Sequence, residues 1–136
     1  MNKDIQDKQD KESRVGLLHE DLTGRIIEAC YEVANELGFG FLESVYEKAL
    51  KIALEEKGLR VKQRAPIQVV FRGKPVGVFY ADLLVEDKVI LELKTVAALA
   101  AEHKAQLINY LKASGFEVGL LINFGKPKIE IKRLFG

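Results

Sequence analysis

The chain of 136 residues is poor in the side chains that build disulfides and zinc centres. It contains one cysteine, Cys30, and two histidines. One thiol cannot form an intrachain disulfide, and this small set cannot supply a thiolate-based zinc site. Cys30 falls on the apolar stripe of a predicted helix, so we expect a buried free thiol. The composition therefore argues against a zinc hydrolase.

Long apolar runs and nucleotide-binding loops are also missing. No apolar run approaches the roughly 20 residues that span a bilayer, so we expect no membrane partner. The segment Met1–Arg14 is polar and mixed in charge, unlike a signal peptide, and we expect a cytoplasmic location. The motifs G-x-x-x-x-G-K-[ST], G-x-G-x-x-G of a Rossmann unit and G-x-S-x-G do not occur. Nucleotide-cofactor enzymes and serine hydrolases are therefore not supported.

Length and composition favour one soluble globular domain. Hydrophobic residues make up 48% of the chain and charged residues 30%. A chain of this size buries about two-thirds of its unfolded surface. Residues 1–16 show no hydrophobic period, so we predict a flexible tail there. Residues 17–136 are predicted to form a single domain.

Charge is unevenly distributed along the chain, although the net charge is only +1. Residues 1–56 hold 7 basic and 13 acidic side chains, whereas residues 57–102 hold 8 and 5. A run of basic residues without an intervening acid comprises Lys57, Arg60, Lys62, Arg64, Arg72 and Lys74. Such a run can neutralise phosphates, or it can be an ordinary solvated face.

Hydrophobic periodicity predicts an α/β (α+β) fold. Helices are expected at His19–Leu37, Leu42–Lys57 and Leu99–Ser114, where apolar residues recur at helical spacing. Five strands are predicted from alternation and apolar runs. They are Ile67–Phe71, Val78–Val85, Val89–Thr95, Val118–Asn123 and Ile129–Leu134, with a turn at Gly73–Pro75. The order is ααβββαββ, and the passage from the third to the fourth strand is expected to be a right-handed parallel crossover.

The most informative segment is the hairpin Tyr80–Lys94. Its two apolar runs carry ionisable groups, Asp82 in the first and Glu92 and Lys94 in the second. An unpaired buried charge is costly. Two carboxylates and a lysine in one hairpin are reasonable if a divalent cation neutralises the acids and the lysine faces a substrate anion. The bland alternative is an exposed face with ordinary Glu–Lys pairs.

The register of this hairpin decides whether its acids meet. Side chains two apart on a strand share a face, so Glu92 and Lys94 point the same way. A three-residue turn, Glu86–Lys88, sets Val85 opposite Val89 and Asp82 opposite Glu92. A two-residue turn would move Glu92 to the other face. We predict the three-residue turn or a bulge.

Asp82 and the Glu92–Lys94 triplet together resemble the signature of the PD-(D/E)XK phosphodiesterase superfamily, which includes restriction endonucleases and DNA-repair exonucleases. Ala81 stands where a proline is usual in that signature. Three further segments strengthen the resemblance. Gly40, Glu43 and Tyr46 match the motif of the small bacterial GxxExxY family, although Phe39 replaces a common proline. Residues 103–111 are similar to the Q-x-x-x-Y helix of RecB-type exonucleases, and residues 119–125 look like the family's late core strand.

The resemblance implies a restriction-endonuclease-like fold and a magnesium or manganese site. The metal ligands it implies are Asp82, Glu92, the backbone carbonyl of Leu93 and Glu43. The catalytic residues it implies are Asp82, Glu92, Lys94, Gln106 and Tyr110. Lys94 is expected to orient or deprotonate a water, or to stabilise charge in the transition state.

Some of these residues have simpler interpretations. A carboxylate at Glu43 is already favoured by the dipole of its helix. Tyr110 can be a core aromatic residue, and His103 a partly exposed helix residue. Gln106 has a donor and an acceptor that could bond Lys94 or a phosphate.

Two functions remain open at this point. The first is a metal-dependent phosphodiester hydrolase that acts on DNA, the favoured partner, or on RNA. The second is a catalytically silent module of the same fold that binds nucleic acid or assists assembly. The small size also suggests a homodimer or a partner protein. Phe39, Phe41 and the last strand are candidate contact surfaces.

Overall fold

A computed structural model describes residues 19–136, and the predicted tail at residues 1–16 lies outside them. This part of the chain forms three helices and five strands. The helices are α1 (Glu20–Leu37), α2 (Glu43–Glu56) and α3 (Ala101–Ser114). The strands are β1 (Val61–Phe71), β2 (Lys74–Val85), β3 (Val89–Lys94), β4 (Val118–Asn123) and β5 (Glu130–Phe135). The predicted element order and fold class are confirmed.

The five strands form one mixed sheet in the order β1-β2-β3-β4-β5. Neighbouring strands are antiparallel except β3 and β4, which are parallel and connected through α3. This is the parallel crossover that the sequence predicts. Among residues 19–136, no helix has the length and apolar character needed to cross a bilayer.

Helices cover the sheet on both faces and bury two separate cores. On one face, α1 and α2 pack against Leu83, Leu91 and Leu93 together with alternate residues of β4. On the other face, α3 packs against Ile90 and its neighbours. Because β3 and β4 are apolar on both sides, as expected for parallel strands covered by helices, they are the most buried part of the sheet.

The first two strands are longer than the sequence predicts. β1 begins at Val61 rather than Ile67, and β2 begins at Lys74 rather than Val78. Their connection is a two-residue turn at Arg72 and Gly73, both with positive φ (50° and 76°), which replaces the predicted turn at Gly73–Pro75. The outer residues of these strands are polar or exposed, so the apolar pattern there was too weak to define the strand ends.

β2 pairs with β3 over only three residues, from Leu83 to Val85. Residues 74–81 of β2 pair with β1 alone. We call this two-stranded extension, residues 65–81, the β1–β2 arm. At a rise of about 3.3 Å per residue, its eight β2 residues extend about 26 Å from the main sheet.

The loop before α2 is held by Tyr46, the tyrosine of the G-x-x-E-x-x-Y pattern. Its ring is fully buried and stacks on Phe124, with ring centroids 4.7 Å apart. Its hydroxyl donates to the carbonyl of Gly38 at 2.7 Å and accepts from the N–H of Phe41 at 3.3 Å. These contacts fix where α2 begins, and therefore where Glu43 lies.

Candidate active site

The predicted register of the Asp82–Glu92 hairpin is correct. Val85 pairs with Val89 across a three-residue turn, and this register continues to place Asp82 opposite Glu92. There, side chains replace the backbone ladder. The N–H of Asp82 donates to Oε1 of Glu92 at 3.1 Å, and the N–H of Leu93 donates to Oδ2 of Asp82 at 2.8 Å. The two carboxyl groups therefore lie side by side.

This pair of acids is electrostatically unfavourable when both are ionised. Asp82 is 6% exposed and Glu92 is half-buried. Burial raises the pKa of Glu92 from 4.5 to about 8, and the negative charge of Asp82 is the second cause. Two adjacent carboxyl groups out of water retain a proton between them near neutral pH, unless a cation compensates their charge.

Arg64, on the neighbouring strand β1, places a guanidinium close to the Asp82 carboxylate. Its Nη1 lies 3.6 Å from Oδ1 of Asp82, and its Nε lies 3.4 Å from Oε1 of Glu47. Arg64 has φ 54°, an uncommon conformation for a residue other than glycine. It was part of the predicted basic run, but nothing in the sequence indicated its contact with the acid.

The positive φ of Arg64 coincides with a change of face along both strands of the arm. Gln63 bonds to Glu47 of α2, whereas Ala65, two residues later, packs in the core under α3. On β2, Leu83 packs under α1 and α2, whereas Ala81 packs under α3. Residues two apart in a regular strand share a face. The sheet is therefore irregular where Asp82 lies, and its carboxylate is reachable from the α2 side.

Helix α2 contributes two acids to this region. Glu43 is half-buried, and its pKa is raised by burial first and then by the charge of Asp82, while Lys94 opposes the shift. The structure therefore brings Glu43 within the electrostatic range of Asp82 and Lys94. Glu47, one turn later, is 1% exposed, and its Oε2 has no hydrogen-bond partner among the described residues.

Glu47 was not predicted as a site residue. The helical spacing could have indicated it, because residues four apart share a helix face and Glu43 is a predicted metal ligand. Its burial could not be read from the sequence.

Lys94 faces a narrow cleft between β3 and α3. The cleft is also lined by Glu92, Gln106, Tyr110 and His103. Gln106 is exposed and Tyr110 half-buried, with its ring stacked on Phe79 at 4.1 Å between centroids. The predicted helix residues and the hairpin residues are therefore neighbours. The interpretation of Tyr110 as an aromatic packing residue also holds.

Two neighbours of this cleft have structural tasks. Nδ1 of His103 accepts the N–H of Ala100 at 3.1 Å and so helps to begin α3. Asn123, fully buried and paired with Lys94 in the sheet, accepts the N–H of Val96 and donates to its carbonyl. Asn123 thus fixes the chain directly after Lys94, a function that sequence reasoning missed.

Family comparison agrees with this arrangement. A model of the PD-(D/E)XK nuclease superfamily matches residues 20–134. The chain belongs to this superfamily. No curated protein matches it by sequence.

Among solved structures, the crystal structure of SSO0001 has a fold similar to that of this superfamily member. The two chains are 19% identical, with a TM-score of 0.51, and the match covers 92% of this chain. The chain spans 61% of the length of that protein. At this identity the likeness concerns the fold.

The residues present suit a hard divalent cation, although within residues 19–136 no three or more His, Cys, Asp and Glu side chains form a ready metal cluster. Asp82 and Glu92 offer two adjacent carboxylates whose charges need compensation. The N–H of Leu93 points to Asp82, so its carbonyl lies towards the same neighbouring strand. Mg²⁺ commonly uses one or two carboxylates and keeps several waters. Two acids and a carbonyl are consistent with that habit.

Proposed function

We propose that this protein is a Mg²⁺- or Mn²⁺-dependent phosphodiester hydrolase that cleaves DNA or RNA, and that it belongs to the GxxExxY group of its superfamily. The observation that carries the proposal is the adjacency of the Asp82 and Glu92 carboxyl groups, each held by a backbone N–H of the other strand, with Lys94 two residues along from Glu92. Gly40, Glu43 and Tyr46 support the narrower family assignment.

Asp82, Glu92 and the carbonyl of Leu93 would hold the ion, and Glu43 would reach it directly or through water. When bound, a divalent ion supplies Lewis acidity and lowers the pKa of a coordinated water. Lys94 places an ammonium in the cleft, where it orients the attacking water or compensates negative charge on the phosphoryl group. Gln106 lines the same cleft and can bond a phosphate oxygen, while Tyr110 packs on Phe79 and fixes the helix face.

The test is cleavage of single-stranded, duplex and branched DNA, and of RNA, with Mg²⁺ and with Mn²⁺. We expect Asp82→Asn and Lys94→Ala each to reduce the rate at least a hundredfold, since each removes a charge that acts on the reacting phosphate. Matched controls are Asp87→Asn and Lys88→Ala, in the exposed turn of the same hairpin. They change the same charges and should cleave normally.

Two results would reject this function. Cleavage that survives both Asp82→Asn and Lys94→Ala comes from a contaminant. Binding of nucleic acid without cleavage under either metal supports the second candidate, a silent module of the nuclease fold. Calorimetric titration with Mn²⁺, with and without Asp82→Asn, distinguishes an inactive protein that binds metal from one that does not.

A further inference from the structure

Within residues 19–136, the β1–β2 arm, residues 65–81, has an apolar face that no other element covers. Tyr80 and Val78 of β2 share one side of the arm with Val70 of β1, at 59%, 53% and 43% exposure. Ile67 and Phe79, on the other side, pack against α3. The helices α1 and α2 thus leave the first side open. Exposed apolar side chains that lie together commonly mark a binding surface.

The charge of the arm is positive throughout. No acidic residue occurs between Lys57 and Ala81. Arg72 and Lys74 stand at the turn, both exposed, and Arg72 lies over the ring of Phe71 at 4.9 Å. Phe71 is 60% exposed and lies on the Ile67 side of the arm, opposite Tyr80. An aromatic and apolar surface that ends in cations is an arrangement that binds unpaired nucleic-acid strands, whose bases stack while their phosphates meet positive charge.

The position of the arm connects this surface to the acid pair. Tyr80 precedes Asp82 by two residues on the same strand, and the arm departs from the main sheet where the acids lie. A strand of nucleic acid that lies along the arm would therefore run towards Asp82 and Glu92. Intact duplex hides its base faces, so the ring of Tyr80 would have no base to stack on.

We propose that the β1–β2 arm grips an unpaired strand of nucleic acid and delivers it to the Asp82–Glu92 pair. Tyr80 stacks on bases, and Arg72 and Lys74 contact phosphates. The substrate class of the proposed nuclease is then single-stranded nucleic acid or the unpaired end of a branched one. To call the bound strand a substrate rests on the proposed function, but binding of the strand can be measured without cleavage.

The experiment measures fluorescence anisotropy of a labelled single-stranded DNA, and of the matching duplex, in EDTA and on an Asp82→Asn background. We expect tighter binding of the single strand. Tyr80→Ser should weaken it about tenfold, as loss of one stacking contact does. The control Ile52→Ser changes a residue of similar exposure on α2 and should bind normally. Thermal unfolding by circular dichroism establishes that each variant is folded.

Salt dependence tests the cations separately. The double variant Arg72→Asn, Lys74→Gln should lower the slope of log affinity against log salt by about 1.4, since each phosphate contact on a single strand contributes about 0.7. Asn tolerates the positive φ at position 72. Lys112→Gln with Lys128→Gln removes two exposed cations elsewhere and should leave the slope unchanged.

The outcomes separate this inference from the nuclease proposal. Normal single-strand binding by the folded arm variants, beside active wild-type protein, overturns the arm and leaves the nuclease. Arm-dependent binding by a protein that never cleaves supports the arm and rejects the nuclease. A wild-type dimer that Tyr80→Ser converts to monomer, with unchanged DNA binding, means that a second copy covers this face and also overturns the inference.

Discussion

Metal binding at the Asp82–Glu92 pair should release a proton, and the number of protons released follows from the pKa of Glu92. Burial and the neighbouring Asp82 raise the pKa of Glu92 to about 8. At about pH 7 such a group is about nine-tenths protonated. A metal ion requires the ionised carboxylate. Binding of one Mg²⁺ or Mn²⁺ at about pH 7 should therefore release about 0.9 proton, and the release should decline towards zero above about pH 9.

The assay is isothermal titration of Mn²⁺ at one pH in two buffers with different ionisation enthalpies, for example Tris and PIPES. The difference between the two apparent binding enthalpies gives the number of protons released. Asp87→Asn, which changes an exposed acid of the same hairpin, should release as many protons as the wild type. Binding without proton release at about pH 7, or release that persists in Glu92→Gln, would refute the assignment of the proton to this pair.

The raised pKa of Glu92 also predicts how the free energy of unfolding of the metal-free protein changes with pH. The folded-state pKa of Glu92 lies above its ordinary value of 4.5. Its contribution to the free energy of unfolding is therefore complete below about pH 4.5 and is lost as the pH rises through about 8. We expect denaturant unfolding in EDTA to show this decline and Glu92→Gln to reduce it. Mn²⁺ at a hundredfold excess over its dissociation constant should add about 2.7 kcal/mol.

Three further predictions concern packing, two of them near the site and one in the core under α1. Gly125→Ala should destabilise the protein by at least about 2 kcal/mol in denaturant unfolding, because its Cβ would collide with the backbone of Thr95 and Val96; unchanged stability would contradict this close approach. Tyr46→Phe should cost about 1–2 kcal/mol through loss of its two hydroxyl hydrogen bonds, whereas a variant as stable as the wild type would mean that the hydroxyl is dispensable. Cys30 should resist Ellman's reagent at about pH 8 until urea unfolds the chain, since burial raises the pKa of its thiol to about 12; rapid labelling of the native protein would refute its burial.

Local rules were sufficient where one face of an element is apolar and its turn is short. The three-residue turn at Glu86–Lys88 was predicted because Asp82 and Glu92 had to share a face to share a metal, and the pairing of Val85 with Val89 confirms it. The buried strands β3 and β4 were evident as apolar runs. The fold order therefore followed from period and register, whereas Gln106 and Tyr110 beside Lys94 were predicted from the family resemblance as well.

The part that escaped prediction lies where the period breaks. The predicted first strand is too short because the alternation of buried and exposed residues is interrupted at Arg64. There the positive φ reverses which residues face the core, so the pattern before Arg64 does not match the pattern after it. The burial of Glu47 depends on Gln63 and Arg64, which lie in the first half of β1, outside the predicted strand Ile67–Phe71. Contacts between distant segments, such as Asn123 with Val96, carry no local signal at all.

Because the strands change face at Arg64 and Asp82, the arm can vary independently of the rest of the sheet. Because the core packing of Leu83 and the acid pair is complete before the arm leaves the sheet, two residues added to each strand near the Arg72–Gly73 turn would keep the alternation and shift neither carboxylate. Length and composition of the arm can thus diverge between homologues while the acidic centre stays constant. Selection could change what the arm binds without changing the acid pair.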